Sequence, residues 1–434
     1  MQKQVLCGVM AIVVGGCGTA TPTPSPGPIT TALTGPGVPP STVTASAAPS
    51  VASATAAPTP SASQAVAAWH SVGPTTGLGG ADDIYVVDWF NDRWVAFGDT
   101  TDGAATWSSA DGIVWHRGTI HSIGPADTPV HVAAMASIGG VAVAVGSWKE
   151  QSSASVDVPL AEAGPGTELV SSAMQHGGTP QVIPASTCEG LASADAAVLT
   201  STDGLIWTQV PDSKALHGQP MLGVAALNGG LVAAGGVDGS ARSASWTSPD
   251  GRHWTRGPDS KALRAGWIDS VVAFGESVIA VGGSACSNAV GVPRAWRSTD
   301  GRSWTLAAGV IKGSCCGAAE AVAANGTIAV ADGVAGSHGE ADVGSATWTT
   351  DDGSRWTLHL QTDQPDQSWI GPIVGTTGGF LATGEGVWSS PDGVTWKNEV
   401  SEDQNFVAIA VGPNGALAVD GPDIWTGPAV VSTR

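Results

Sequence analysis

Residues 296–304 read Trp-Arg-Ser-Thr-Asp-Gly-Arg-Ser-Trp, and five further segments of the chain repeat this pattern. The shared part is Ser or Thr, any residue, Asp-Gly, two variable residues and Trp. An Asp-Gly pair between short runs of Trp, Thr and Val predicts a β-hairpin, because Gly accepts a positive φ and Asp bonds nearby backbone N–H groups. The six motif aspartates are Asp111, Asp203, Asp250, Asp300, Asp352 and Asp392.

The spacing of these aspartates predicts the architecture. Successive motif aspartates are 92, 47, 50, 52 and 40 residues apart, and a period of 40 to 50 residues with several strands per repeat is typical of β-propeller blades. An Ala/Val-rich hairpin precedes each motif, so each repeat supplies four antiparallel strands, a and b inside, c and d outside. The longest interval contains residues 149–194, which lack a second such hairpin and are expected to form a loop insertion in blade 2.

The two ends of the repeat region predict a closed ring. Residues 407–426 supply strands a, b and c of a further blade without a d strand, whereas residues 66–72 resemble the d strands elsewhere. We therefore predict an all-β, seven-bladed β-propeller over residues 67–430, with four-stranded antiparallel blades and a ring closed by the N-terminal strand. The alternatives are six blades with an irregular seventh region and a further blade hidden in the 92-residue interval.

The repeated turn resembles the Asp-box of bacterial neuraminidase (BNR) repeats, and the domain resembles a sialidase-like propeller. The chain departs from the usual Ser-x-Asp-x-Gly-x-x-Trp by placing Gly directly after Asp. The resemblance implies that the motif aspartates are structural and not catalytic. It does not extend to a sialidase active site, which uses a Tyr nucleophile and three distributed arginines. The single tyrosine, Tyr85, lies early in the ring, and Arg242, Arg264 and Arg294 fall on adjacent blades.

The N-terminus predicts export and a lipid anchor. Lys3 precedes an apolar run that ends in Val14-Gly15-Gly16-Cys17, which resembles the bacterial lipobox. We expect residues 1–16 to be a lipoprotein signal peptide, Cys17 to carry the lipid and residues 17–66, rich in Thr, Pro, Ser and Ala, to be a disordered tether. The propeller would then be held at the outer face of the bacterial cell membrane. An ordinary signal-peptidase site beside an incidental cysteine is the alternative.

Composition excludes one large class of partner. The chain has 37 acidic and 17 Lys or Arg residues, a formal net charge of −20, and only 12% charged residues. A chain of this charge repels a phosphate backbone, so no nucleic-acid partner is expected.

The candidate ligand site lies at the channel mouth, where the b–c and d–a connections meet. Off-motif aromatic side chains beside carboxylates suit stacking on sugar rings or binding of a cationic group. An alternative is that the two tryptophans among them are core plugs. The candidates are Trp267, Asp269, Trp369, Glu320, Asp83 and Tyr85.

Two functions are compatible with this sequence. We favour a monomeric, surface-anchored binding or scaffold module for an extracellular carbohydrate, peptide or envelope partner, without cofactor or metal, because a fold alone confers no chemistry. The alternative is an enzyme, a sialidase-type glycoside hydrolase.

Two further sequence features have a structural interpretation. Four cysteines remain after Cys17, and in an exported chain they predict two disulfides; no Cys-x-x-Cys or His-x-x-His spacing favours a metal site. The four cysteines are Cys188, Cys286, Cys315 and Cys316.

The hexapeptide Pro-Asp-Ser-Lys-Ala-Leu occurs at 211–216 and again at 258–263, which indicates either a repeated binding feature or a shared loop conformation.

Overall fold

The computed structural model describes twelve segments of the chain, all within the unit Ser63–Arg434. The predicted signal peptide, Cys17, the tether and the insertion up to residue 193 lie outside the described residues. The described segments are 68–72, 77–78, 81, 83–122, 130–148, 194–236, 242–284, 292–308, 316–336, 343–361, 370–421 and 423–429.

Short strands joined by tight turns make up almost all of this region. Several turns have the conformation that two-residue hairpins need, with positive φ at both central residues: Asn91 and Asp92 at 48° and 61°, and Gly139 and Gly140 at 55° and 77°. The strands of the first half are β1 (His70–Ser71), β2 (Asp83–Phe90), β3 (Arg93–Thr100), β4 (Gly103–Ser109), β5 (His116–Arg117), β6 (Thr119–His121), β7 (Val130–Ile138), β8 (Val141–Trp148), β9 (Ala196–Ser201), β10 (Ile206–Gln209), β11 (Gly223–Leu227), β12 (Gly230–Gly236), β13 (Ser243–Ser248) and β14 (Thr255–Arg256). Those of the second half are β15 (Gly266–Phe274), β16 (Ser277–Ser284), β17 (Pro293–Ser298), β18 (Thr305–Leu306), β19 (Cys316–Ala324), β20 (Ala329–Gly336), β21 (Val343–Thr350), β22 (Thr357–Leu360), β23 (Ile370–Thr376), β24 (Gly379–Ser390), β25 (Lys397–Asn405), β26 (Ala408–Gly412), β27 (Gly415–Asp420) and β28 (Asp423–Gly427).

The strands form seven sheets, so the predicted seven-bladed propeller is confirmed. Blades 1, 3, 4 and 5 have strand orders β2-β3-β4-β5, β11-β12-β13-β14, β15-β16-β17-β18 and β19-β20-β21-β22. Blade 2 is β7-β8-β9-β10 with β6 added in parallel at its outer edge. In blade 6 the long β24 serves as both b and c, because residues 379–384 pair with β23 and residues 385–389 with β25.

The predicted closure of the ring is also confirmed. Blade 7 takes strands a, b and c from β26, β27 and β28, and its d strand is β1. His70 pairs with Thr426 and Ser71 with Trp425 in antiparallel register. The innermost strands contact their neighbours all round the ring, with β26 against β2. The N-terminal strand thus covers what would be an open sheet edge between the last and the first blade.

The hydrophobic core lies between the blades. Apolar side chains of the b strands pack there around motif tryptophans. Trp246, Trp296 and Trp348 of c strands and Trp207 of the d strand β10 have no solvent exposure. Antiparallel pairing then assigns the two ends of the channel. The a–b turns and the Asp-Gly turns lie at one end, and the d–a and b–c connections lie at the other, where every a strand begins. We call this second end the mouth.

Candidate functional site

The Asp-Gly turns have a structural role, because the motif aspartate and the motif Ser or Thr accept hydrogen bonds from the backbone of their own turn. At Asp300, the backbone N–H groups of Arg302 and Ser303 donate to Oδ1 at 2.8 and 2.6 Å, and Ser298 Oγ accepts from Gly301 N at 2.9 Å. Burial raises the pKa of this carboxyl, but the hydrogen bonds from these N–H donors lower it by more, so the pKa falls to about 2. The same contacts recur in the other five turns. An ionised carboxylate whose Oδ1 accepts from its own turn, at the end of the channel opposite the mouth, has no proton to donate to a substrate.

The a strands of four blades carry a β-bulge at the same place near the mouth. In β2, β7, β15 and β19 one extra residue is left out of the pairing with the b strand, directly after the pairs made by Ile84, Val132, Ile268 and Ala319. Bulges of this kind redirect a side chain and are common beside functional sites. The four bulged residues are Tyr85, Ala133, Asp269 and Glu320. Three of them are predicted site residues.

A glycine on the b strand makes each bulge possible. A Cβ at Gly98 would lie 2.0 Å from the carbonyl oxygen of Asp83, and one at Gly282 would lie 2.0 Å from that of Trp267. The b strands accordingly share the pattern Ala-x-Gly in blades 1 to 6. This second motif becomes visible in the sequence only when the b strands are aligned with one another, at residues 96–98, 144–146, 233–235, 280–282, 331–333 and 382–384.

On blades 1 and 2 the mouth carries a cluster around the single tyrosine. The ring centroid of half-buried Tyr85 lies 4.5 Å from that of His131, and its hydroxyl lies 3.5 Å from Asp99 Oδ1. Burial raises the pKa of Tyr85, and the charges of Asp99 and Asp83 raise it further. The phenol therefore stays protonated at neutral pH, so it is a hydrogen-bonding group and not an activated nucleophile.

On blade 4 the structure supports the core-plug alternative for Trp267. The indole is only 6% exposed, because its cross-strand partner is Gly283, whose missing side chain leaves room for the ring. Its Nε1–H donates to Asp269 Oδ2 at 2.8 Å. Trp267 has no open face for stacking and instead orients the bulged carboxylate. Its predicted companion Trp369 lies outside the described residues.

On blade 5 a second carboxyl lies behind the bulged Glu320. Asp332 on β20 is completely buried, and neither of its carboxyl oxygens has a hydrogen-bond partner among the described residues. Burial raises its pKa well above the usual range, and the charge of Glu320 raises it further. The x position of the Ala-x-Gly pattern is apolar in blades 1 to 4, where it is Phe97, Val145, Ala234 and Val281.

The clusters on blades 4 and 5 adjoin each other. β15 contacts β19, and Val322 N donates to Ser270 Oγ at 3.3 Å beside the two bulges. Asp269 and Glu320 thus occupy equivalent positions on neighbouring innermost strands, roughly opposite the Tyr85 cluster in the order of the ring. Within the described segments no three His, Cys, Asp or Glu side chains converge as a metal site.

The remaining predicted residues are not tested by the described part of the chain. Cys188, Cys286 and Cys315 lie outside it, and Cys316 is described only as the first residue of β19, so the two disulfides stay a prediction. Among the residues described, no helix has the length and apolar character needed to cross a bilayer.

Comparison with solved structures supports the fold. YCF48 from Cyanidioschyzon merolae aligns with a TM-score of 0.50 and 14% identity over 83% of this chain and 99% of its own. YCF48 bound to D1 peptide aligns at 0.49 and 13% over 85% and 99%, and Trypanosoma rangeli sialidase in complex with 2,3-difluorosialic acid at 0.42 and 10% over 83% and 58%. At such identities the similarity shows the propeller fold alone. No protein family matches the sequence, and no curated protein does.

Proposed function

We propose that this protein is a ligand-binding propeller whose ligand is held at the mouth by the bulged residues. The observation that carries this is the equivalent placement of Tyr85, Asp269 and Glu320 by bulges that one glycine pattern permits. All three are half-buried and reach the mouth from the innermost strands. Carboxylates accept hydrogen bonds from hydroxyl groups and bind cationic groups, so carbohydrates and basic peptides are the matching classes.

Binding is favoured over glycoside hydrolysis by the chemistry of these groups. A sialidase-type reaction needs an activated tyrosine, whereas burial and two neighbouring carboxylates keep Tyr85 protonated. The motif aspartates have lowered pKa values and lie at the other end of the channel. What remains at the mouth is a set of hydrogen-bonding and charged groups, which suits recognition.

The test is binding of the purified full-length protein to a glycan array and to an array of Lys/Arg-containing peptides. Glu320→Gln and Asp269→Asn should each weaken the wild-type signal about 10- to 100-fold, the usual effect of losing a charge-assisted hydrogen bond. The control is Asp351→Asn, which removes an exposed carboxylate beside the turn of blade 5 at the other end of the channel. Binding to neither array, or equal losses in the control, would overturn the proposal. Turnover of a fluorogenic sialoside would replace it with the hydrolase.

We further propose that the protein is exported and held outside the cell by a lipid on Cys17, which the lipobox-like Val14-Gly15-Gly16-Cys17 supports. Cys17→Ser should abolish labelling by palmitate and move the protein out of the membrane fraction. Labelling that survives the substitution would contradict this anchor.

A further inference from the structure

A cavity of about 220 Å³ lies at the mouth side of blades 3 and 4, away from the channel axis. Its walls come from the connection that follows blade 2, from the start of β13, from β14 and from the connection that follows blade 3. Because β14 is the outermost strand of blade 3, the cavity lies toward the outside of the ring. It shares no residue with the Tyr85 cluster or with Asp269, Glu320 and Asp332.

Three arginines line this cavity in a strongly acidic protein. The whole chain has 17 Lys and Arg residues and a net charge of −20, yet Arg242, Arg256 and Arg264 converge here. Among the described residues of the lining, Asp259 is the acidic one. Like charges at one cavity repel one another, so an anion that enters the cavity lowers this repulsion.

Two of the guanidinium groups are held by neighbouring side chains or backbone, while most of their donors have no hydrogen-bond partner in the described part of the chain. Arg256 stacks over Trp246, with 5.3 Å from its Cζ to the ring centroid, and donates one bond to the His217 carbonyl at 2.5 Å. Arg264 makes one ion pair, from Nη2 to Asp259 Oδ2 at 3.2 Å. A guanidinium has five N–H donors in a fixed plane that matches a carboxylate, sulfate or phosphate group. Fixing them beforehand lowers the entropy that a ligand would lose on binding.

The repeated hexapeptide anchors the connections beside the cavity to the propeller. Its final leucines, Leu216 and Leu263, are both 2% exposed, although the 3-10 turn covers Lys214–Leu216 in the first copy and Leu263–Ala265 in the second. The carbonyl of the preceding alanine accepts from a motif tryptophan in each case, Trp246 Nε1 to Ala215 O at 2.6 Å and Trp296 Nε1 to Ala262 O at 2.9 Å. The two copies thus share their anchoring contacts but not their turn conformation, and the second copy places Asp259, Ser260 and Leu263 in the cavity wall.

We propose that this arginine cavity binds one oxyanion group, a carboxylate, sulfate or phosphate, of a small ligand. Its volume is below the range of about 300 to 1,000 Å³ that drug-sized ligands occupy, which suits a free anion or a single acidic sugar unit. Asp259 lowers the affinity of the cavity for an anion, because an entering anion competes with Asp259 for Arg264. The cavity is independent of the ligand proposed at the channel mouth.

The test is isothermal titration of the purified full-length protein with sodium sulfate, sodium phosphate and sodium glucuronate, at one ionic strength kept with NaCl. Glucose serves as the uncharged counterpart of glucuronate. We expect saturable one-to-one binding of at least one anion and none of glucose, and the three arms identify which oxyanion the cavity prefers. The absence of saturable binding in all three arms overturns the proposal.

Substitutions locate the site. Arg264→Ala, at a side chain that is 64% exposed, should weaken binding about tenfold or more, the usual effect of losing a charged hydrogen-bond donor, with little change in melting temperature. Asp259→Asn should strengthen it several-fold, because it frees Arg264. The control Arg302→Ala removes the same charge from an exposed side chain at the opposite end of blade 4. Equal weakening by the control, or unchanged affinity in Asp259→Asn and Arg264→Ala, would show that overall charge and not the cavity determines binding.

Discussion

Replacing Asp332 by Val should stabilise the propeller. The carboxyl is fully buried without a hydrogen-bond partner among the described residues, whereas blades 2 and 4 have Val145 and Val281 at the same position of the repeat. Leaving a buried polar group unsatisfied costs about 1 to 3 kcal/mol, and burying a valine side chain contributes about 1.5 kcal/mol more. Imperfect fit of the added methyl group offsets part of this. A net gain of about 2 to 3 kcal/mol is expected below about pH 4, where the carboxyl is protonated in both states, and it raises the melting temperature of a domain of this size by roughly 3 to 4 °C. The gain is larger at higher pH, where the unfolded wild-type carboxyl ionises.

The pH dependence of the free energy of unfolding tests whether the Asp332 carboxyl is the group responsible. Its pKa is raised in the folded protein, so the folded state binds the proton more tightly than the unfolded chain. The stability that this proton confers is complete below the pKa of the unfolded side chain, about 3.9, and is lost as the pH rises above it. The loss is about 1.4 kcal/mol per pH unit while only the unfolded form is ionised.

The assay is urea unfolding of wild type, Asp332→Val and Asp332→Asn between pH 4 and 7. Both variants should lack this part of the slope, and Asn, which keeps a buried polar group, should gain less stability than Val. If wild type and both variants have the same slope, or if Val lowers the melting temperature, Asp332 is paired in solution and the reasoning fails.

Three further outcomes follow from the fold. Deleting residues 18–60 should leave the melting temperature unchanged, whereas deletion through Val72 removes β1 and should lower it by many degrees; equal melting temperatures would contradict closure by β1. Asp300→Ala should cost about 1 to 2 kcal/mol in urea unfolding, because two backbone N–H groups lose their acceptor, without altering ligand affinity once folded. Gly282→Ala should destabilise blade 4 by more than about 2 kcal/mol and weaken binding at the mouth, because the added Cβ would lie 2.0 Å from the Trp267 carbonyl oxygen. The control is Gly344→Ala, where the added Cβ has open space around it. Equal effects of the two substitutions would refute the role of the bulge glycines.

The fold could be predicted from the sequence because its signals are local and repeated. Asp-Gly turns depend on two adjacent residues, and six copies in register fix the blade period. Even the closure by residues 70–71 follows from counting strands, because the last blade lacks one. The site was only partly predictable. Tyr85, Asp269 and Glu320 were named from their place before the a strands, but their common position on bulges depends on the pairing with glycines of another strand.

Trp267 shows what position alone leaves open. An off-motif tryptophan beside an acidic residue fits both an exposed stacking platform and a core plug. The residue across the strand pair is Gly283, the ring fills the space above it, and the core plug is therefore the correct alternative. Asp332 shows the opposite case. Its carboxyl is buried and has no hydrogen-bond partner among the described residues. In the sequence, the sign of this is an acidic residue at the x position of Ala-x-Gly, which is apolar in blades 1 to 4. The difference appears when the b strands are compared with one another and not when the chain is scanned for catalytic motifs.

The arrangement of strands explains why both proposed sites face the same way. In a four-stranded antiparallel blade, the a–b and c–d turns must lie at one end, and the b–c and d–a connections at the other. The Asp-Gly turns have one fixed length and use the hydrogen-bonding capacity of their aspartates within the turn. The connections at the mouth differ from blade to blade, and there the described residues include the half-buried bulged carboxylates and the arginines of the cavity. Variable connections on a rigid scaffold are where proteins place their binding groups, so recognition is expected at the mouth and stability at the opposite end.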